Sequence, residues 1–364
     1  MSMIKCINGH EQSDSTALHL KCSVCGEAML YENACLQQLK TLPKVDLTFE
    51  KVSIVFIGLP NSSPSLVEDK ELYASSILVG DYNMETVETV TLGRTGATSW
   101  LDFYSKYLEK LGRWMRFVGL DKSPYRLLVV DTRKPVSVLA LAAIERSWKN
   151  TIVLAITGDQ TSTLIEQNAS YVAIGTALKH GFPVIAVSTS YIDELIFYTE
   201  KEGLVVRFQA LIPILYRLVS AIDSVMDMLG NDTRLGIKEH CLSAILSASE
   251  KIYLSVESAL SVQESSFSIN AKKEDIATIS LLAFAPVDVL NRIEKAFAKY
   301  RREELKDVLA ADHQEYPSDG SPSSELYDLL MIYGIKEGLT YEQLKSGYDT
   351  IAGMVPELSL EKVV

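Results

Sequence analysis

A chain of 364 residues, 47% hydrophobic and 23% charged, has the make-up of a globular protein long enough for one large domain or two. Its formal net charge of −12 repels a phosphate backbone and argues against general nucleic-acid binding. No apolar run reaches the roughly 20 residues of a membrane span, and the N-terminus has no signal-peptide core, so the sequence reads as cytoplasmic.

The first element is "KCINGHEQSDSTALHLKCSVCG", residues 5–26. Cys6 and His10 stand as C-x3-H, and Cys22 and Cys25 as C-x2-C followed by Gly26. Two short chelating turns of this kind supply the four tetrahedral ligands of a structural zinc ion. His19 is a rival ligand, but in "ALHLKC" it alternates with apolar residues as a strand side chain does. Cys35 and Cys241 stand alone and are expected to be reduced. The "C-x-x-G-H" and "C-x-x-C-G" knuckles resemble the short zinc ribbons that head many multidomain prokaryotic proteins, over residues 4–30. So small a unit has almost no apolar core, and metal binding is its folding energy. The spacer "EQSDSTALHLK" has no basic cluster with interleaved aromatics. The ribbon (1–30) therefore reads as a docking module for a protein partner.

Residues 31–50 read as a linker helix ending before Pro43. From 51 onward short apolar strands alternate with helices. Strands are expected at 51–58, 75–80, 88–92, 125–131, 150–158 and 182–189, and helices at 99–118, 136–148, 163–181 and 211–230. Several strands are apolar throughout, as a parallel sheet covered on both faces requires. The expected fold is α/β, with a doubly wound, mostly parallel Rossmann-like sheet over 51–230 whose ligand would sit beyond the carboxyl ends of the strands. A smaller α+β unit follows over 231–335. Its expected elements are a helix at 236–248, strands at 251–260 and 275–286, a charged helix at 287–305, and strands at 306–314 and 324–334. Residues 336–364 form a tail in which Thr340 and Gln343 have capping-box spacing for a final helix.

In this order the elements resemble the tubulin and FtsZ superfamily: a nucleotide-binding domain, a long central helix and a second domain. The resemblance is carried by "NASYVAIGTALKHGFPVIAVSTSYIDELI" (168–196), by "LIPILYRLVSAIDSVMDML" (211–229) for the central helix, and by "IATISLLAFAPVDVLNRIEKAFAKY" (276–300). It implies GTP or another nucleotide as ligand and self-association as the mode of assembly. The family's phosphate loop is rich in glycine and threonine and follows the fourth strand. The matching stretch here is "VVDTRKPVSVLAL" (129–141), without glycine and with Pro135 lacking an N–H. The family's acidic loop after the central helix is matched only by Asp232 and Glu239 in "GNDTRLGIKEH", at a different spacing. The resemblance thus implies a cytoskeletal or scaffold protein with weak or lost GTPase activity. Tyr216 stands where the family stacks a ring on guanine, but Pro213 and Ile214 precede it where the family has a polar base reader, so it reads first as a core residue.

"LGRTGATSW" (92–100) places Gly93, Arg94, Thr95, Gly96, Thr98 and Ser99 between an expected strand and helix. Exposed N–H groups, hydroxyls and a guanidinium could converge there on an anion, or the stretch could be a tight turn with a helix cap. Asp131, Arg133 and Lys134 could join such a site or form a solvated turn. The alternative function is a small-ligand or nucleotide-binding sensor or enzyme on a Rossmann-like domain tethered by the ribbon.

Overall fold

The computed structural model describes residues 3–6, 11–13, 29–30, 52–57, 76–79, 124–133, 135–144, 148–158, 162–192, 211–248, 255–263, 267–304, 308–317 and 326–336. The linker helix, the strand at 88–92, the helix at 99–118 and the C-terminal helix lie outside them.

Near the N-terminus β1 (Met3–Cys6) pairs antiparallel with β2 (Glu11–Ser13) and β3 (Met29–Leu30). The rest builds one nine-stranded sheet. Its parallel half contains β4 (Val52–Ile57), β5 (Ser76–Val79), β6 (Tyr125–Asp131), β7 (Thr151–Thr157) and β8 (Val184–Ser188). Its mixed half contains β9 (Glu239–Ala248), β10 (Ile276–Ala285), β11 (Ala310–Pro317) and β12 (Tyr327–Ile335). The order across the sheet is β11-β10-β12-β9-β8-β7-β6-β4-β5.

Burial explains the strand sequences. β7 and β8 are buried along their whole length, because helices cover both faces. On one face lie α1 (Pro135–Ala143) and α2 (Leu164–Lys179), whose Val138, Leu141, Tyr171, Ile174 and Ala177 pack with Leu128, Val130, Val153 and Ala155. Thr163 and Glu166 start α2 with a reciprocal capping box. On the opposite face the central helix forms two segments, α3 (Ile212–Ser220) and α4 (Ile222–Arg234), interrupted at Ala221 (φ −106°, ψ 19°). Together they span the seam, since their apolar residues meet Val129, Leu154 and Val187 of one half and Leu242, Phe284 and Leu330 of the other. α5 (Val256–Gln263) and α6 (Val287–Glu304) pack against the mixed half. α6 buries Val289, Leu290, Ile293, Ala296, Phe297 and Tyr300, the stripe of an amphipathic helix.

The halves are joined where β8 and β9 run parallel over Val184↔Glu239 to Ala186↔Cys241. Beyond that the strands part, and Ser268 fills the fork. Its N–H donates to Leu242 O (2.8 Å), its hydroxyl donates to Ala186 O (2.6 Å), and its carbonyl accepts from Ser188 N (2.6 Å).

Two expected elements are corrected. Residues 239–248 are a strand and not part of a helix, and 256–263 are a helix where a strand was expected through 260. β9 lies between β8 and β12, covered on both faces, so it shows no polar alternation and its Ala and Leu content imitates a helix. α5 starts at Ser255, whose Oγ accepts from Ser258 N (3.2 Å) as an N-cap does.

Candidate nucleotide cleft and the acids of the central helix

Parallel strands bring the ends Ile57, Asp131, Thr157 and Ser188 to one edge of the sheet, where a doubly wound fold takes its ligands. The turn after β6 is a compact polar knot there. Asp131 is 1% exposed and accepts two bonds from the Arg133 guanidinium, Nε to Oδ1 (2.8 Å) and Nη2 to Oδ2 (2.9 Å). The Arg133 N–H also donates to Asp131 Oδ1 (3.2 Å). Thr132 donates through its N–H (3.0 Å) and its hydroxyl (2.7 Å) to Ile156 O, and the hydroxyl also lies 2.9 Å from Ser170 Oγ of α2. Ser137 Oγ donates to Asp131 O (2.6 Å), and Gly158 N to Ser170 Oγ (3.4 Å). Ser170 and Thr132 thereby tie the ends of β6 and β7 to α2. The sequence reading missed Ser170, whose only signal is a hydroxyl on the buried face of an apolar helix.

Tyr216 is 6% exposed and belongs to the apolar cluster of α3, α4 and the sheet. Its neighbour Arg217 is buried (2% exposed) against Asp328 of β12. Nε donates to Asp328 Oδ2 (2.7 Å) and Nη2 to the same oxygen. The guanidinium lies 4.7 Å from the ring centroid of Phe284, which stacks on Tyr316. On the far side of the break at Ala221, Ser224 accepts from the Tyr316 hydroxyl (2.7 Å). A lone arginine inside "IPILYRLVS" was the available sign of this pair.

"GNDTRLGIKEH" forms no open loop. α4 stops in a Schellman turn: Gly236, at φ +85°, donates to Thr233 O (3.0 Å) and Ile237 N to Asp232 O (2.9 Å), and the chain enters β9 at once. Asp232 is 6% exposed. Its Oδ2 accepts from Thr278 Oγ1 (2.8 Å) and lies 3.0 Å from His240 Nε2, which has no exposure. Glu239 is also buried, at 5%. The close approach of Gly334 completes the cluster, since a Cβ there would stand 2.1 Å from Thr278 Oγ1 and 3.1 Å from Asp232 Oδ2.

Two tyrosine hydroxyls bracket α4. The hydrogen bond to Asp223, followed by burial, raises Tyr125 above the usual value near 10; burial raises Tyr316. Burial likewise pushes the Cys241 thiol up, which makes it unreactive.

Of the expected ligands, Cys6 ends β1, opposite Met29. His10, Cys22 and Cys25 lie outside the described residues, as do Gly93, Arg94, Thr95, Gly96, Thr98 and Ser99. Among the described residues no group of three or more His, Cys, Asp or Glu is placed to hold a metal ion. No described helix is long and apolar enough to cross a membrane.

No family model and no curated protein matches the sequence. Solved structures do match. CetZ from Methanosaeta thermophila strain DSM 6194 aligns at 12% identity and TM-score 0.55, over 85% of this chain and 95% of that one. CetZ2 from Haloferax volcanii, as a GTPγS-bound protofilament, aligns at 12% identity and TM-score 0.54, over 82% and 99%. CetZ1 from the same organism, as a GDP-bound monomer, aligns at 12% and 0.56, again over 82% and 99%. The chain has a tubulin/FtsZ-like fold.

Proposed function

We propose that this chain is a tubulin/FtsZ-like cytoskeletal or scaffold protein that associates with itself end to end, recruits a protein partner through a zinc ribbon, and has weak or lost GTPase activity. The observation that carries the reading is the placement of exposed apolar side chains on the fold. Leu235 (56% exposed) precedes β9, and Leu309 (71%) precedes β11, with its N–H on Ala277 O at the start of β10. Because β9, β10 and β11 run in the direction of β8, both leucines lie at the amino edge of the sheet. Val287 (62%) follows β10 at the carboxyl edge, the edge of the Asp131 turn. Exposed apolar side chains at two opposite edges are compatible with a heterologous interface that repeats without closing. CetZ2 captured as a protofilament supplies the parallel.

Weak or lost hydrolysis is supported by Asp232, whose Oδ2 is committed to Thr278 and His240 under the end of α4. The ribbon reading rests on the four-ligand spacing in the sequence. Pelleting of the purified full chain tests assembly, and metal analysis tests the ribbon. About one zinc per chain is expected for wild type and its loss in Cys22→Ser; a metal-free wild type, or full zinc in the variant, rejects the ribbon.

A further inference from the structure

Resting on the tubulin/FtsZ-like reading above, we propose that the Asp131 carboxylate stands in for a ligand phosphate at the end of β6 and closes that position to the phosphates of a nucleotide. The fold implies a nucleotide whose phosphates lie against consecutive N–H groups after this strand. Here the first two donors after the strand are already taken, and a further position has none. The N–H of Thr132 is on Ile156 O, that of Arg133 is on Asp131 Oδ1, and Pro135 has none. The hydroxyls of Thr132 and Ser137 donate to the carbonyls of Ile156 and Asp131. Arg133 meets Asp131 with two parallel N–H···O bonds, the fork geometry in which a guanidinium receives a phosphate. Its stem lies over the end of β7, where a Cβ on Gly158 would stand 3.8 Å from Arg133 Cγ. A phosphate arriving here meets a fixed negative charge and an arginine already neutralised. The end of β6, as these residues hold it, does not fit a phosphate at the Asp131–Arg133 fork.

Asp131→Asn removes the charge and one arm of the fork while keeping the shape, so it should release Arg133 toward added anions. The test titrates fluorescent GTP and, separately, pyrophosphate into the full-length wild type, Arg133→Gln, Asp131→Asn and the double variant, with melting temperatures recorded for each. Wild type and Arg133→Gln should be indistinguishable toward both probes, since any nucleotide held by other loops would not touch Arg133. Asp131→Asn should bind pyrophosphate at least tenfold more tightly than wild type, and the double variant should lose that gain. Binding by wild type that weakens tenfold or more in Arg133→Gln overturns the proposal, as does an Asp131→Asn protein that melts like wild type and gains nothing. Pelleting is read independently: failure to assemble would remove the proposed function and leave the closed turn standing.

Discussion

Asp232 shows how a residue type that suggests catalysis can be committed to structure. Replacing it with alanine strands the buried donors of Thr278 and His240, each at about 1–3 kcal/mol. Urea unfolding of Asp232→Ala should show a loss of roughly 3 kcal/mol with no change in any residual GTP turnover. Robust turnover that vanishes in this variant would instead make Asp232 a working acid. Gly334→Ala should destabilise by a comparable amount, because its Cβ would overlap Thr278 Oγ1. Tyr125 makes a pH-dependent contribution of known sign. Its folded value is raised through Asp223, so its stabilisation is complete below about pH 10 and is lost as the pH climbs through the folded value. Alkaline melting curves should therefore be flatter for Tyr125→Phe. Sequence alone singled out Asp131 and Asp232. It could not show that Arg133 folds back on the first or that Thr278, distant in sequence, occupies the second.

The central helix carries its own test at the scale of elements. α3 is held by Arg217–Asp328, and α4 by Ser224–Tyr316 and by Asp232, so each side of the break at Ala221 has separate polar anchors on the mixed half of the sheet. Removing one partner of a buried ion pair leaves an uncompensated charge, whereas replacing both by apolar residues of similar size restores packing. Asp328→Leu should lose about 3–5 kcal/mol, and Arg217→Met with Asp328→Leu should recover most of it in the same unfolding assay. Equal losses for the single and double variants would mean that the geometry is doing something other than pairing charges. Strands β4, β6, β7 and β8 were readable because β-branched apolar runs between turn residues have few other solutions in a covered parallel sheet. β9 was not, since a strand buried on both faces loses the alternation by which strands are recognised. α5 was missed because its Ser255 cap stood inside a run rich in Val, Leu and Ser. The helix break at Ala221 has no local marker, as alanine is the best helix former.

For the whole molecule, the layout of a parallel sheet, a central helix and a mixed second half was legible from the order of apolar periods. Its continuity as a nine-stranded sheet depends on the short β8–β9 pairing and on Ser268, which no periodicity announces. The surfaces that assembly would use were equally hidden, since an exposed leucine in a sequence looks like any other. The central claim is that this fold joins copies of itself through the amino edge marked by Leu235 and Leu309. Sedimentation velocity across a concentration series, comparing wild type with Leu235→Glu and Leu309→Glu at matched melting temperature, tests it most directly. The account predicts that wild type grows into a series of species larger than a dimer as concentration rises, and that either glutamate shifts this growth to at least tenfold higher concentration. A wild type that remains a single monomeric species throughout, or glutamate variants that assemble as it does, would contradict it.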